Sequence, residues 1–123
     1  MAFLTDRKRA VGMGSAKSGT EHHWGMMVSS AGLAILIPLF IFNFGSILGS
    51  SYEEVLAHYA RPYPAILAAL TIAVSMMHFK NGVQALIEDY VQGTARKVAI
   101  ILTICLSYAL AAAGLLAIAR LAL

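Results

Sequence analysis

The sequence predicts an all-α integral membrane protein with three transmembrane helices, built as one membrane domain over residues 1–123. Its residues are 59% hydrophobic and 12% charged, whereas soluble domains have about 45–50% apolar and about 25% charged residues. Three apolar runs each reach the roughly 20 residues that cross a bilayer. A chain this short cannot hide so much apolar surface in its own core, so the surplus must face lipid or other subunits.

The first span is predicted at about 24–48, within an uncharged run that starts at Trp24. Tryptophan at the end of a span is typical of an interfacial anchor. Pro38 lies inside the run, and transmembrane helices tolerate proline when neighbouring groups satisfy the freed carbonyl. Residues 1–23 show no apolar core followed by a cleavage site, so we expect the first span itself to direct insertion.

The second and third spans are predicted at about 64–90 and 97–120. A loop over 49–63 precedes the second span, and its sequence YEEVLAHYARPY predicts a short amphipathic turn or helix followed by a proline break. A short loop over 91–96 leads to the third span. The third span carries no recognisable chemistry, and we expect it to close the bundle.

The distribution of Lys and Arg predicts the orientation. The first loop and the C-terminus hold two of the flanking Lys and Arg residues, Arg61 and Arg120. The N-terminal segment and the second loop hold the other six: Arg7, Lys8, Arg9, Lys17, Arg96 and Lys97. The positive-inside rule therefore places 1–23 and 91–96 in the cytoplasm and 49–63 on the periplasmic side. The net charge of +3 comes without a basic stripe interleaved with aromatics, so nucleic-acid binding is not expected.

His78 is the most informative residue because an ionisable side chain inside a span is costly and marks function by default. It lies about ten residues, or roughly 15 Å, from the cytoplasmic end of its helix. A neutral imidazole there suits an axial haem ligand, and Gly82, one turn later on the same face, would let a flat porphyrin approach. The alternative is a histidine hydrogen-bonded to a neighbouring helix. Lys80 is about 200° away and cannot face the same cofactor.

Asp89 and Tyr90 end the second span, with Asp89 about 20° from His78 around the helix. A phenol at this interface can donate a hydrogen bond to a quinone carbonyl, with the carboxylate handling protons. The alternative is an interfacial tyrosine beside solvated acids.

His22 and His23, where the first span begins, could contact a cofactor's acidic groups, bind metal weakly or cap the helix. Neither a Gly-rich nucleotide loop nor a cysteine cluster is present, so no flavin or iron–sulfur site is expected in this chain.

The second span resembles a known family through HFKNGVQ at 78–84 and IEDYV at 87–91. These residues are similar to the H-x-x-x-G-x-x-x-x-x-x-D-Y motif of the small hydrophobic anchor subunit of succinate dehydrogenase, and the segment 14–24 resembles its alphaproteobacterial members. The resemblance implies that His78 is an axial ligand of haem b, shared with a second anchor, and that Tyr90 and Asp89 help form the ubiquinone pocket.

The resemblance also implies a multi-pass subunit of the bacterial inner membrane, working in electron transport and the tricarboxylic acid cycle. The expected partners are a second membrane anchor (the cytochrome b subunit), an iron–sulfur subunit and a flavoprotein subunit. The chain itself would be a non-catalytic subunit that contributes to the quinone site.

One departure from the family concerns the first span. Many members carry an arginine there, near the haem propionates and the quinone, where this chain has MMVSS at 26–30. The partner anchor, or His22 and His23, would have to supply that contact.

Two alternatives stay open: a structural anchor without a cofactor, in which His78 bridges helices, and the anchor of a fumarate reductase. A transporter or channel subunit is disfavoured because too few polar residues line any one face.

Overall fold

The computed structural model describes residues 3–15 and 20–123. Lys17 and the rest of segment 16–19, which contribute to the orientation argument and to the resemblance, lie outside the described residues. Within the described ranges the chain forms helices alone: α1 (Asp6–Val11), α2 (Thr20–Gly45), α3 (Tyr52–Tyr59), α4 (Pro62–Tyr90) and α5 (Gly93–Ala122). The predicted all-α class is confirmed.

Helices α2, α4 and α5 are each long and apolar enough to cross a membrane, as predicted. Helix α2 continues through Pro38 and ends at Gly45, three residues before the predicted end, where a turn begins. Helix α5 begins at Gly93 rather than at 97, because helical hydrogen bonding runs on through Ala95, Arg96 and Lys97, which are good helix formers despite their charge.

Helix α4 is the middle of an open layer. Helices α2 and α5 both pack along it, and among the described residues no Cα atom of α2 lies within 8 Å of a Cα atom of α5. The third span therefore packs on the second without its backbone reaching the first, so backbone packing does not confirm the expectation that it closes the bundle. The reason is that the α2-facing residue His78 of α4 lies about 120° around the helix from Ile72 and about 160° from Lys80, which both face α5.

The α4–α5 contact is close because Gly114 has no side chain. A Cβ at this position would lie 3.0 Å from Cγ2 of Ile72 on α4. Nearer the predicted cytoplasmic end, the Lys80 ammonium lies 5.6 Å from the centre of the Tyr108 ring on α5, within the range of a cation–π interaction. Lys80 thus faces α5, away from His78, as the helical geometry predicts.

Helix α3 forms a corner at the other end of the layer. A capping box starts it: the Glu54 carboxylate accepts from the Ser51 backbone N–H at 2.8 Å, and the Ser51 hydroxyl accepts from the Glu54 backbone N–H at 3.4 Å. These bonds, led by the backbone one, hold the pKa of Glu54 below its ordinary value. Burial beside His58 raises the pKa of the Tyr59 phenol.

His58 joins this corner to the long helices. Its Nε2 lies 3.1 Å from Oδ1 of Asn43 near the end of α2, and its Nδ1 lies 3.4 Å from Nη2 of Arg61, which precedes α4. The side chain is buried. Since Arg61 can only donate, Nδ1 must accept and Nε2 must carry the proton that goes to Asn43. One imidazole thus connects α2, α3 and the start of α4.

Most apolar side chains of the layer face outwards. Among the described hydrophobic residues, the buried ones are Leu33, Tyr59, Leu67, Ala68 and Ile87. A soluble monomer would not leave so many aliphatic and aromatic side chains in water. The exposed apolar surface must therefore meet lipid or other subunits, as the composition predicts.

Candidate functional site

His78 lies in the α2–α4 contact and bonds to the opposite helix. Its Nδ1 is 2.9 Å from the hydroxyl oxygen of Ser29 on α2. Ser29 is buried, at 3% exposure, and the imidazole is half-buried. The hydrogen bond to a neighbouring helix, which was the alternative to a ligand role, is therefore present. It occupies only one of the two ring nitrogens, and in the described part of the chain no residue bonds to Nε2.

The hydroxyl of Ser29 is also tied to its own helix. It lies 2.8 Å from the carbonyl oxygen of Gly25 and 3.0 Å from that of Met26. Such back-bonding to the preceding turn is the usual arrangement for serine inside a helix. The Ser29 oxygen is thus fixed by α2 before it meets His78, and the histidine contacts a rigid partner.

Gly82 lies on the same face of α4 as His78, as predicted, and that face is turned towards α2. A Cβ at Gly82 would lie 3.6 Å from the terminal methyl of Met26. The surface left open by this glycine is covered only by the end of a flexible thioether. A flat group could displace that methyl without moving backbone, so the residues present fit a porphyrin edge near His78.

The donor set around His78 also fits a haem better than a free ion. Among the described residues, no three His, Cys, Asp or Glu side chains lie close enough together to hold a metal ion. His78 would therefore be the one protein ligand from this part of the chain. In a haem the porphyrin supplies four of the remaining ligands and a second protein side chain the other.

Asp89 and Tyr90 lie at the end of α4, about two helical turns beyond Gly82, and both are exposed. The Tyr90 side chain is 82% exposed. On the neighbouring face Gln84 donates a hydrogen bond of 2.9 Å to the Glu88 carboxylate. The Tyr90 hydroxyl and the Asp89 carboxylate make no hydrogen bond or ion pair with the described residues, so a ligand or a partner subunit can reach both.

His22 and His23 differ in direction. His22 is seven residues before Ser29, so it lies within about 20° of Ser29 on the face of α2 that meets α4, whereas His23 is turned about 120° from it. Both are exposed at the end of α2. Because α2 and α4 run antiparallel, this end lies beside the end of α4 that carries Asp89. The structure thus favours His22 over His23 as a contributor to the same site.

Ser29 is the hydrogen-bond partner of His78 that the sequence analysis did not predict. It counted only as part of an uncharged run in which an arginine was lacking. Its signal was the spacing of small residues: Gly25, Ser29 and Gly32 recur at the three- and four-residue intervals typical of close helix packing in membranes. A Cβ at Gly32 would lie 3.9 Å from Cγ1 of Val74 on α4, so this stripe does face the helix that carries His78.

Comparison with known proteins identifies similar chains. The family described as "Succinate dehydrogenase/Fumarate reductase transmembrane subunit" matches residues 2–116. A succinate dehydrogenase hydrophobic membrane anchor subunit from Paracoccus denitrificans is 45% identical over 123 residues, which is 100% of this chain and 95% of that protein. A protein of the same description from Rickettsia bellii (strain RML369-C) is 30% identical over 90 residues, or 72% of this chain and 71% of that protein. No solved structure matches the chain significantly.

Proposed function

Because this multi-pass membrane chain belongs to the succinate dehydrogenase/fumarate reductase transmembrane subunit family, we propose that it is the hydrophobic membrane anchor subunit of a succinate:quinone oxidoreductase. In this role it contributes His78 as one axial ligand of haem b, and Tyr90 with Asp89 to the site where ubiquinone is reduced. The chain takes part in electron transport and the tricarboxylic acid cycle as a subunit, without oxidising succinate itself.

The observation that carries the haem proposal is the state of the His78 ring. Its Nδ1 is held by Ser29 at 2.9 Å, and its Nε2 bonds to no described residue. Haem-ligating histidines use one nitrogen for iron and the other for a hydrogen bond that fixes the ring. When bound, haem supplies a one-electron carrier inside the membrane. A structural histidine would be expected to use both nitrogens, because unpaired polar atoms inside a membrane are costly.

The open layer supports assembly with partners. One histidine in this chain gives one axial ligand, so the second must come from another anchor subunit. Flavin and iron–sulfur chemistry likewise belong to a flavoprotein and an iron–sulfur subunit. The exposed apolar faces of α2, α4 and α5 provide surface for the second anchor and for lipid. With the N-terminus and the α4–α5 turn in the cytoplasm of a bacterium, Asp89 and Tyr90 lie on the side where the catalytic subunits dock.

At the quinone site, the exposed Tyr90 hydroxyl donates a hydrogen bond to a quinone carbonyl oxygen, which stabilises charge that develops on that oxygen. The Asp89 carboxylate, next in the chain, relays a proton from the cytoplasmic water towards the same region. His22, on the α2 face turned to this end of α4, is the candidate in this chain for the contact that an arginine makes in other members.

The haem proposal is tested on the purified four-subunit complex by optical difference spectra of its reduced and oxidised forms. His78→Ala should remove or severely perturb the haem b spectrum while the subunits still co-purify. His58→Ala is the matched control, because it removes another histidine bonded to α2 and should leave the spectrum intact. An unchanged haem spectrum in the His78→Ala complex would contradict the ligand role of His78, whereas a wild-type complex without haem absorbance would support the cofactor-free anchor.

The quinone proposal is tested by Tyr90→Phe. Loss of one hydrogen bond worth about 1.4 kcal/mol lowers succinate–quinone turnover about tenfold, while succinate oxidation by an artificial acceptor stays near normal. Tyr63→Phe is the control, because Tyr63 is an exposed tyrosine at the other end of α4. Unchanged succinate–quinone turnover in Tyr90→Phe would contradict the quinone assignment, whereas equal loss of both activities would indicate failed assembly.

A further inference from the structure

The positions of the protons decide which group is the donor in the hydrogen bond between Ser29 and His78. Ser29 has one hydroxyl proton, and two carbonyl oxygens of its own helix compete for it, at 2.8 Å and 3.0 Å. With the proton given to either carbonyl, the lone pairs of the Ser29 oxygen are left for the imidazole nitrogen at 2.9 Å. The hydroxyl then acts as an acceptor, and the histidine Nδ1 must be the donor.

This assignment sets the tautomer of the ring. A neutral imidazole carries one proton, and placing it on Nδ1 leaves a lone pair on Nε2. The opposite tautomer would put an N–H at Nε2, where no described residue accepts it and where a metal ion could not be bound. The hydrogen-bonded arrangement of α2 therefore selects the form of His78 that a metal requires.

We infer that Ser29 is a positioning residue for the haem ligand: its buried hydroxyl oxygen accepts the Nδ1–H of His78, fixes the tautomer and ring orientation, and makes Nε2 a stronger donor to iron. This inference rests on the proposed ligand role of His78. Ser29 contacts neither the iron nor the quinone in this account. It acts on the iron only through the ring.

Burial makes the serine hard to replace. Ser29 is 3% exposed, so water cannot readily take over its bond to the ring when the hydroxyl is removed. Outer hydrogen bonds of this kind raise the basicity of a ligating histidine, and their loss typically costs about 10–100-fold in metal affinity. A more basic ligand favours ferric over ferrous iron, so removing the bond should raise the haem midpoint potential.

The chain offers a matched control one residue away. The Ser30 hydroxyl donates to the same Met26 carbonyl, at 2.8 Å, but the residue is exposed and makes no contact with a histidine. Ser29→Ala and Ser30→Ala remove the same chemical group from the same turn of α2. They differ in the bond to His78.

The experiment measures the haem midpoint potential and the rate of haem loss in detergent for purified complexes. Ser29→Ala should raise the potential and speed haem loss about tenfold, whereas Ser30→Ala should match the wild type. Ser29→Thr, which keeps an acceptor oxygen, should restore both values towards the wild type. Ser29→Cys, with a weak acceptor of similar size, should shift them in the direction of Ser29→Ala. If Ser29→Ala assembles poorly, the cysteine and threonine variants carry the same comparison.

Equal potentials and equal rates of haem loss in the Ser29→Ala and Ser30→Ala complexes would overturn the inference. A Ser29→Thr complex that behaves like Ser29→Ala would also overturn it, because packing would then explain the effect. His78→Ala, measured alongside, separates this failure from that of the proposed function. If His78→Ala keeps its normal haem, the ligand role is wrong; if it loses the haem while Ser29→Ala is unaffected, only the role of Ser29 is wrong.

Discussion

The two histidines that bond to helix α2, His58 and His78, differ in how many of their ring nitrogens form hydrogen bonds. His58 bonds through both ring nitrogens, at 3.1 Å to Asn43 and at 3.4 Å to Arg61. His78 bonds through Nδ1 alone, at 2.9 Å to Ser29. The two rings also hold opposite tautomers: arginine requires an acceptor at Nδ1 of His58, whereas the serine accepts from Nδ1 of His78.

The difference separates a structural histidine from a ligand candidate. Both ring nitrogens of His58 bond to its own chain, so neither can bind iron without the loss of a hydrogen bond. His78 keeps a free lone pair at mid-span, beside a glycine covered only by a methionine methyl. A hydrogen bond between helices is thus no evidence against a ligand role; the number of nitrogens it uses is the better criterion.

The largest effect that would sharpen this comparison comes from His58→Ala. The substitution leaves Asn43 and Arg61 without a partner at the corner of α2, α3 and α4, and should destabilise the subunit by about 1–3 kcal/mol. The thermal denaturation midpoint of the purified complex should fall, while the haem spectrum of the folded fraction stays normal. Loss of haem from folded complex to the extent seen in His78→Ala would break the distinction between the two rings.

An intermediate effect is expected from a double-mutant cycle. Asn43→Ala and His58→Ala should be non-additive in stability, with a coupling of about 1 kcal/mol, because the two side chains share one hydrogen bond. Asn43→Ala and His78→Ala, at separate positions along α2 and α4, should be additive. Additivity in the first pair would mean that the Asn43–His58 bond does not stabilise the corner.

The smallest effect concerns the cap that starts α3 and supports His58. Bonds to Ser51 lower the pKa of Glu54, so the carboxylate contributes stability at neutral pH, and this contribution is lost as the pH falls through the lowered pKa. The thermal midpoint of the wild-type complex should therefore lose a small amount on acidification that Glu54→Gln no longer shows.

Glu53→Gln is the control for this prediction, since Glu53 is exposed and lies outside the cap. Its complex should keep the pH dependence of the wild type. Identical pH dependence in the Glu54→Gln and wild-type complexes would show that the capping carboxylate adds nothing measurable to the corner.

Hydropathy and helical arithmetic predicted the three spans and placed Gly82 with His78 and Lys80 opposite them. They did not predict the open layer, because the first and third spans are almost wholly apolar, and the small-residue stripe of α2 does not by itself say which helix it faces. The bond between His58 and Asn43 was out of reach for a related reason: its partners are 15 residues apart and meet only through the turn between α2 and α3.

The contact of Ser29 with His78 was not predicted, because a serine in an apolar run indicates no partner until the register of the two helices is known. Once α2 and α4 are paired, the same residue is the sole described partner of the His78 ring. The haem and quinone roles of His78, Asp89 and Tyr90 remain predictions, as does the contribution of His22. Each depends on groups that belong to the assembled complex.

The central claim, that His78 is an axial ligand of haem b, is tested most directly by chemical rescue. The His78→Gly complex should show a lost or high-spin haem spectrum, and added imidazole should restore the low-spin spectrum by filling the space of the missing ring. His58→Gly should show normal haem with no response to imidazole. A normal low-spin spectrum in the His78→Gly complex without imidazole would contradict the account.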